Sequence, residues 1–168
     1  MIQINKKGSY FLVISLIICF FDQITKYYIN LNIKSLLNKN FILFSLENVK
    51  NYGAAFNILS GNRLLLASIS IIFSLALIYY ISKKNNTRTI ELYSYSFILG
   101  GTLGNGIDRI TKGYVTDFIS LNFINFPVFN IADISINVGF ILLLYSLIKN
   151  KKRRGNFIRL NIRTSLDI

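Results

Sequence analysis

The chain contains no histidine and no tryptophan, and it has one cysteine and one proline. Without histidine, a Ser-His-Asp triad, a histidine-ligated zinc centre and a histidine-bound haem are all excluded. The single cysteine, Cys19, excludes an internal disulfide, a CxxC redox pair and a cysteine-rich metal site. Any catalysis must therefore depend on carboxylate, hydroxyl, amide or lysine side chains.

Charge is also scarce and unevenly divided between the two signs. Charged residues make up 15% of the 168 residues, against about 25% in an average soluble domain. Apolar residues make up 52%, the mean hydropathy is +0.47, and 19 basic residues against seven acidic ones give a net charge of +12. This length and composition predict one membrane domain spanning residues 1–168.

Long apolar segments fit this interpretation. A helix that crosses a bilayer needs about 20 mostly apolar residues. The segment 64–82 has no charged residue, 92–110 ends in the polar sequence GGTLGNGIDRI, and 131–148 carries Asp133 near its start. We predict an all-α integral membrane protein with four transmembrane helices, at about 9–29, 64–82, 92–110 and 131–148.

The distribution of basic residues predicts the orientation. Twelve of the 19 Lys and Arg residues lie near the two ends of the chain and in the 83–88 loop. The positive-inside rule therefore places both termini in the cytoplasm. Residues 149–168 form a basic cytoplasmic tail, which is more typical of a topology anchor and a contact for anionic lipid than of a nucleic-acid site.

The two loops on the outer side, about 30–63 and 111–130, contain short alternating segments. FILFSLENV lies in the first loop and YVTDFISLNF in the second. Alternation of this kind is typical of half-buried strands. We expect small β-like elements on the outer face.

Ionisable residues inside membrane segments are the first candidates for function. Each costs about 2.5–3.5 kcal/mol at the bilayer centre on insertion scales. Asp22 and Lys26 are four residues apart, so they share a helical face and can form an ion pair. We expect this pair to shape a site without doing chemistry, with the long Lys26 side chain extending outward to the interface.

A second polar group lies at the end of the third segment. Asn105, Asp108 and Arg109 share one helical face, and Gly100 and Gly104 form a GxxxG step that lets another helix approach closely. We expect Arg109 to pair with an acid and Asn105 to form a hydrogen bond between helices.

A third polar group lies at the start of the fourth segment, where Asn130, Asp133 and Asn137 form a stripe on an apolar helix. Asp117 stands in a similar apolar setting just after the third segment. Two close carboxylates that share a proton are the minimum set for aspartyl peptide-bond hydrolysis, because one activates water and the other supports the carbonyl oxygen. Spacing alone leaves open the alternative that each Asp merely caps a helix or loop.

Four separated stretches together resemble the lipoprotein signal peptidase family, also called signal peptidase II. They are Asp22-Gln23-x-x-Lys26, the NYGAAF sequence of residues 51–56, GGTLGNGIDRITKGYVTDFI of residues 100–119, and FNIADISINVG of residues 129–139. They follow one another in the order and at the spacing of that family. Gly106 departs from the pattern, because family members usually carry a bulky apolar residue there.

The resemblance implies an intramembrane aspartyl endopeptidase of the bacterial cytoplasmic (inner) membrane, with its active site toward the outer face. Such an enzyme removes the signal peptide of prolipoproteins by cleaving before a diacylglyceryl-modified cysteine. The resemblance makes Asp117 and Asp133 the catalytic residues. We expect a monomer in membrane lipid, without a cofactor, a metal or a nucleic-acid partner. The positions expected to shape the site or bind substrate are Asn51, Gly53, Asn105, Asp108, Arg109, Asn130, Asp22 and Lys26.

Alternative classes remain. A small proton- or cation-coupled transporter also uses intramembrane acids, but it favours acids at mid-span and internal repeats, whereas these acids gather toward one end. A Ser/Lys hydrolase needs an uncharged lysine, and Asp22 one turn away keeps Lys26 charged. A purely structural membrane adaptor does not require the four polar sequence stretches described above.

Overall fold

A computed structural model describes residues 6–32, 35, 41–54, 58–84 and 87–166, with side chains described from residue 8 to residue 151 of these ranges. Residues 55 and 56 of the NYGAAF sequence lie outside the described residues. The chain is mostly helical. Its elements are α1 (Lys6–Leu31), β1 (Phe44–Asn51), α2 (Arg63–Lys83), α3 (Thr89–Thr111), β2 (Val115–Leu121) and α4 (Ile131–Leu166).

Each predicted apolar segment lies within one of the four helices in the described ranges. The main difference is at the end of α4, which has 36 residues and continues to Leu166. The residues predicted as a basic tail from 149 onward therefore extend this helix as far as residue 166. Lysine and arginine are good helix formers, so the loss of apolar character does not end the helix.

Three helices within the described ranges are long and apolar enough to cross a membrane: Gly8–Leu31, Arg63–Lys83 and Ile131–Lys151. Helix α3 is long enough, with 23 residues, but its glycine, serine and asparagine residues lower its hydropathy. Three of the four predicted spans therefore meet the criterion of apolarity, and the third predicted span does not.

The position of α3 explains its composition, because it packs against α1, α2 and α4. Twelve of its residues are buried. The surrounding helices instead turn large apolar side chains outward, such as Phe20 (62% exposed), Leu75 (61%) and Ile148 (70%). Exposed apolar surface on this scale is typical of a protein embedded in lipid.

Glycines allow α3 to approach its neighbours closely. A Cβ added at Gly100 would lie 2.7 Å from the Ser15 carbonyl oxygen of α1, and one at Gly104 would clash with the Asp22 carboxylate. The predicted close approach of another helix at this GxxxG step is confirmed. On the other face of α3, a Cβ at Gly101 would meet the Ala132 carbonyl of α4.

The two predicted strand segments form one small antiparallel sheet. Strand β1 pairs with β2 in a register that places Val49 opposite Asp117 and Asn51 opposite Val115. Phe129, just before α4, pairs with Ile119 of β2. The sheet therefore joins the end of α3 to the start of α4, which brings Asp117 toward the first turn of α4.

Candidate active site

One cavity of about 610 Å³ contains both predicted catalytic carboxylates. Its lining includes Asp117 from β2, Asp133 from α4, Asn51 from β1, and Asn105 and Arg109 from α3. Residues that are far apart in sequence therefore meet where the sheet joins α3 to α4.

Asp117 is almost fully buried, at 2% exposure. Its Oδ2 accepts a hydrogen bond from Asn51 Nδ2 (3.0 Å) and its Oδ1 accepts one from Asn130 Nδ2 (2.6 Å). Burial raises the pKa of Asp117 to about 6, and the negative charge of Asp133 acts in the same direction. Asp117 can therefore hold a proton close to neutral pH.

Asp133 lies in the first turn of α4 and forms a reciprocal cap with Asn130. The Asn130 backbone N–H donates to Asp133 Oδ2 (3.1 Å), and the Asp133 backbone N–H donates to Asn130 Oδ1 (3.0 Å). The other oxygen, Oδ1, accepts a hydrogen bond from Asn105 Nδ2 (2.8 Å). Asp133 thus caps its helix and also lines the cavity. A capping role and a catalytic role, which the sequence left as alternatives, are therefore compatible for this residue.

Three asparagine amides surround the acid pair, and each has its oxygen occupied by another donor. Because the oxygen is fixed, the amide nitrogen is turned toward a carboxylate, where its N–H groups favour the ionised form. The donors to these oxygens are Gly53 N–H for Asn51 (2.9 Å), Asp133 N–H for Asn130 (3.0 Å) and Lys26 Nζ for Asn105 (2.9 Å).

Lys26 is fully buried between two carboxylates, 2.8 Å from Asp22 and 3.1 Å from Asp108. The predicted pair of Asp22 with Lys26 is confirmed, but the outward extension of Lys26 is wrong, because α3 packs over this face of α1. Asp108 also contacts Lys112 (2.8 Å) and accepts the Thr116 backbone N–H (3.2 Å). This cluster ties α1, α3 and β2 together beside the acid pair.

Arg109 forms no salt bridge within the described part of the chain, so its predicted pairing with an acid is wrong. Its Nη2 donates to the Gly53 carbonyl (2.9 Å) and its Nη1 to the Asn105 carbonyl (3.4 Å). The buried Nε has no partner among the described residues. The guanidinium holds the end of β1 against α3 and lines the cavity that contains both acids.

Two further contacts support the site but were assigned no role from the sequence. Gln23 Nε2 donates to the Gly104 carbonyl (3.0 Å), and the Ala132 backbone N–H donates to Asp22 Oδ1 (2.9 Å). A glutamine inside an apolar segment is a visible signal, because a buried amide needs partners. The contact of Ala132 leaves no such signal, since any residue except proline supplies the same backbone N–H.

Comparison with known proteins agrees with this geometry. The family model described as signal peptidase (SPase) II matches residues 14–149, a range that includes every site residue named above. The chain belongs to the signal peptidase II family. The curated relatives and solved structures that it resembles show how much of the chain this family covers.

Among the curated relatives, the lipoprotein signal peptidase of Gloeothece citriformis is 42% identical over 143 residues, covering 83% of this chain and 89% of the relative. The lipoprotein signal peptidase of Pasteurella multocida is 34% identical over 154 residues, covering 88% and 93%. These similarities do not support the transporter alternative.

Two solved structures share the fold, both bacterial membrane enzymes determined by the in meso method. One has a TM-score of 0.78 at 34% identity and covers 86% of this chain and 91% of its own. The other has a TM-score of 0.73 at 35% identity and covers 84% and 94%. The chain is therefore a multi-pass membrane protein of the signal peptidase II type.

Proposed function

We propose that this chain is an aspartyl endopeptidase that removes the signal peptide from bacterial prolipoproteins. It hydrolyses the peptide bond before a diacylglyceryl-modified cysteine, and Asp117 and Asp133 are its catalytic pair. The observation that carries this proposal is the meeting of the two carboxylates in one cavity. Membership of the family supplies the reaction class.

The charges around the cavity favour one proton on the acid pair. Four carboxylates lie among three cations, so a single proton makes the whole group neutral, which a low-dielectric site favours. The raised pKa of Asp117, about 6, makes it the carboxyl that holds this proton. The groups counted are Asp22, Asp108, Asp117, Asp133, Lys26, Lys112 and Arg109.

The reaction then follows from one ionised and one protonated carboxyl. Asp133 takes a proton from water as the water oxygen attacks the scissile carbonyl carbon, and Asp117 gives its proton to the carbonyl oxygen. When the tetrahedral intermediate collapses, the C–N bond breaks and Asp133 protonates the leaving amine. A hydroxyl of the intermediate returns a proton to Asp117, which restores the pair.

The four helices form a single domain with four crossings. The 23 residues of α3 extend about 35 Å, enough to cross the hydrocarbon core, and the three surrounding helices shield its polar residues from lipid. Four crossings place both termini in the cytoplasm together with the basic end of α4. The acid pair then lies near the outer face of the cytoplasmic (inner) membrane, and one chain forms the complete site.

A cleavage assay tests this function. Purified protein in detergent is incubated with a diacylglyceryl-modified prolipoprotein and with the same precursor carrying a free cysteine. We expect cleavage of the modified precursor alone, with product masses that place the cut directly before the cysteine. Absence of cleavage, or a cut at another bond, would contradict the proposal.

A further inference from the structure

Asn137 is the residue of the polar stripe on α4 that the reaction does not use. It lies one helical turn beyond Asp133, lines the same cavity and is exposed. Its amide has no hydrogen-bond partner among the residues that the structure describes. It stands about 9 Å along the helix from Ile131, inside the stretch of α4 that is long and apolar enough to cross a membrane, so we place this part of the cavity in the hydrocarbon region. An amide left without a partner there is costly, which indicates a polar ligand at this level.

The neighbouring polar groups point to the chemistry of that ligand. Ser70 and Thr102 also line the cavity, but their hydroxyl hydrogens are donated to carbonyl oxygens of their own helices, Leu66 O (3.1 Å) and Ile98 O (2.8 Å). Asn137 therefore supplies free N–H donors beside its own amide carbonyl, and an acceptor on the ligand satisfies those donors. The rest of this part of the cavity is apolar, with Ile134, Val138 and Ile141 on the same helix.

The substrate carries such an acceptor at a suitable distance. In a diacylglyceryl cysteine, the path from the scissile nitrogen to an ester carbonyl runs through Cα, Cβ, sulfur and the glycerol carbons. Its extended length is roughly 8 Å, by covalent bond lengths near 1.5 Å, and one helical turn rises about 5.4 Å. An ester carbonyl can therefore reach the level of Asn137 while the scissile bond lies at the acid pair, and its acyl chain continues along the apolar wall.

We propose that the Asn137 amide donates a hydrogen bond to an ester carbonyl of the diacylglyceryl group of the substrate. This inference rests on the proposed function and makes Asn137 a specificity-determining residue. The contact links recognition of the lipid to the placement of the peptide bond, because Asn137 and Asp133 stand on successive turns of one rigid helix.

The test compares two precursors, one with the natural diester lipid and one with a diether lipid that lacks both carbonyls. The assay uses an ester-free detergent such as dodecyl maltoside, so that the substrate provides the only ester carbonyls. For wild type, the diether precursor should show kcat/KM lower by about tenfold through a higher KM, as expected for one lost hydrogen bond. Asn137→Leu should cleave both precursors with the same, raised KM.

Two further variants control for general damage to the cavity. Thr102→Val removes a hydroxyl whose hydrogen is already donated within α3, so it should keep the preference for the ester. Asn137→Gln retains the amide N–H donors and should keep part of the preference. Thermal melting of each variant in detergent checks folding, and leucine at an exposed position of a membrane helix should not lower the melting temperature.

The ester contact is overturned if wild type cleaves both precursors equally, if Asn137→Leu retains the full preference, or if that variant lowers kcat without raising KM. The last result would indicate an effect on the acid pair or a structural role. Failure of wild type to cleave the diester precursor would instead overturn the proposed function, and this inference with it. The two failures are therefore distinguishable.

Discussion

Asp117 and Asp133 share a cavity, but their surroundings differ. Asp117 lies on a strand, and its hydrogen-bond donors among the described residues are the side-chain amides of Asn51 and Asn130. Asp133 uses one oxygen for a backbone N–H at the start of α4. The position of the Asp133 carboxylate is thus fixed by the start of its own helix. The pKa of Asp117, in contrast, depends on burial and on the amides around it. The residue-scale predictions therefore concern Asp117.

Stability should depend on pH through Asp117, whose pKa rises from its ordinary value of 3.8 to about 6 on folding. Between these pH values the folded state binds more protons than the unfolded state, so the free energy of unfolding falls as pH rises. The fall amounts to about 3 kcal/mol, from the size of the pKa shift. Asp117→Asn should remove it. Melting temperatures of both proteins between pH 4 and pH 7 test this, and parallel curves would contradict it.

Asn51 should tune this same carboxyl, since its N–H favours the ionised form of Asp117. Asn51→Leu removes the donor, so the pKa of Asp117 should rise and the alkaline limb of the pH–rate profile should move to higher pH. We expect kcat/KM to fall about tenfold, as for one lost hydrogen bond to a charged group. Asn48→Leu on the same strand is the control, because Asn48 donates to Asn30 and not to the acid pair. Equal profiles for the two variants would contradict this role.

Residue-level predictions succeeded where local geometry decides and failed where distant segments meet. The spacing of Asp22 and Lys26 is enough to predict their ion pair. It does not reveal that α3 covers Lys26. The partner of Arg109 is a carbonyl of Gly53, which is 56 residues away, and a backbone carbonyl leaves no trace in the sequence.

At the scale of elements, the alternating segments were enough to predict two strands, and apolar runs were enough to place four helices. Helix α3 is less apolar than the candidate spans in the other three helices, because it packs against all three and needs less apolar surface toward lipid. The composition after residue 148 likewise hides the continuation of α4, because the loss of apolar character does not end a helix rich in Lys and Arg.

Close packing of α3 and α4 makes Gly139 sensitive to substitution. A Cβ at Gly139 would lie 2.7 Å from the Ser94 carbonyl oxygen and 2.9 Å from the Ile98 nitrogen, and these backbone atoms cannot yield without moving a helix. Gly139→Ala should therefore lower stability by about 1–3 kcal/mol, as overpacking does, and reduce activity by displacing the helix that carries Asp133. Thermal melting in detergent, together with the cleavage assay, measures both effects.

Gly106→Ala is the matched control, at a buried glycine of α3. The nearest atom to a Cβ there is the Ser70 side-chain Cβ at 3.1 Å, and no backbone atom of another described element lies within 4 Å. We expect a smaller loss than at Gly139, offset by the helix propensity of alanine. A loss as large as that of Gly139→Ala would show that backbone contact is not the deciding factor.

At the scale of the whole molecule, charge predicts the orientation and the fold predicts where the site lies. The basic residues near the ends of the chain favour the cytoplasm, and the sheet with the acid pair lies at the opposite end of α4 from its basic extension. Lys50 on β1 and Lys151 on α4 are both exposed and should therefore face opposite sides of the membrane.

Cysteine labelling tests this topology directly, because Cys19 is the only cysteine and is buried. In a Cys19→Ser background, Lys50→Cys should react with a membrane-impermeant maleimide on spheroplasts. Lys151→Cys should react only after lysis. The reverse pattern would invert the orientation, and labelling of both on spheroplasts would contradict four crossings.

The central claim is that Asp117 and Asp133 act as one catalytic unit, and the most direct measurement is single-turnover cleavage of a diacylglyceryl-modified prolipoprotein. The proteins compared are wild type, Asp117→Asn, Asp133→Asn and the double variant, each shown to be folded by thermal melting. Glu47→Gln is the control for an acid-to-amide change on β1, because Glu47 does not line the cavity.

The account predicts that each single variant loses roughly a thousandfold or more in rate and that the double variant loses no more than either single one, since residues that act as a unit are non-additive. Glu47→Gln should keep the wild-type rate. A folded Asp117→Asn or Asp133→Asn protein that still cleaves within about tenfold of wild type would contradict the claim.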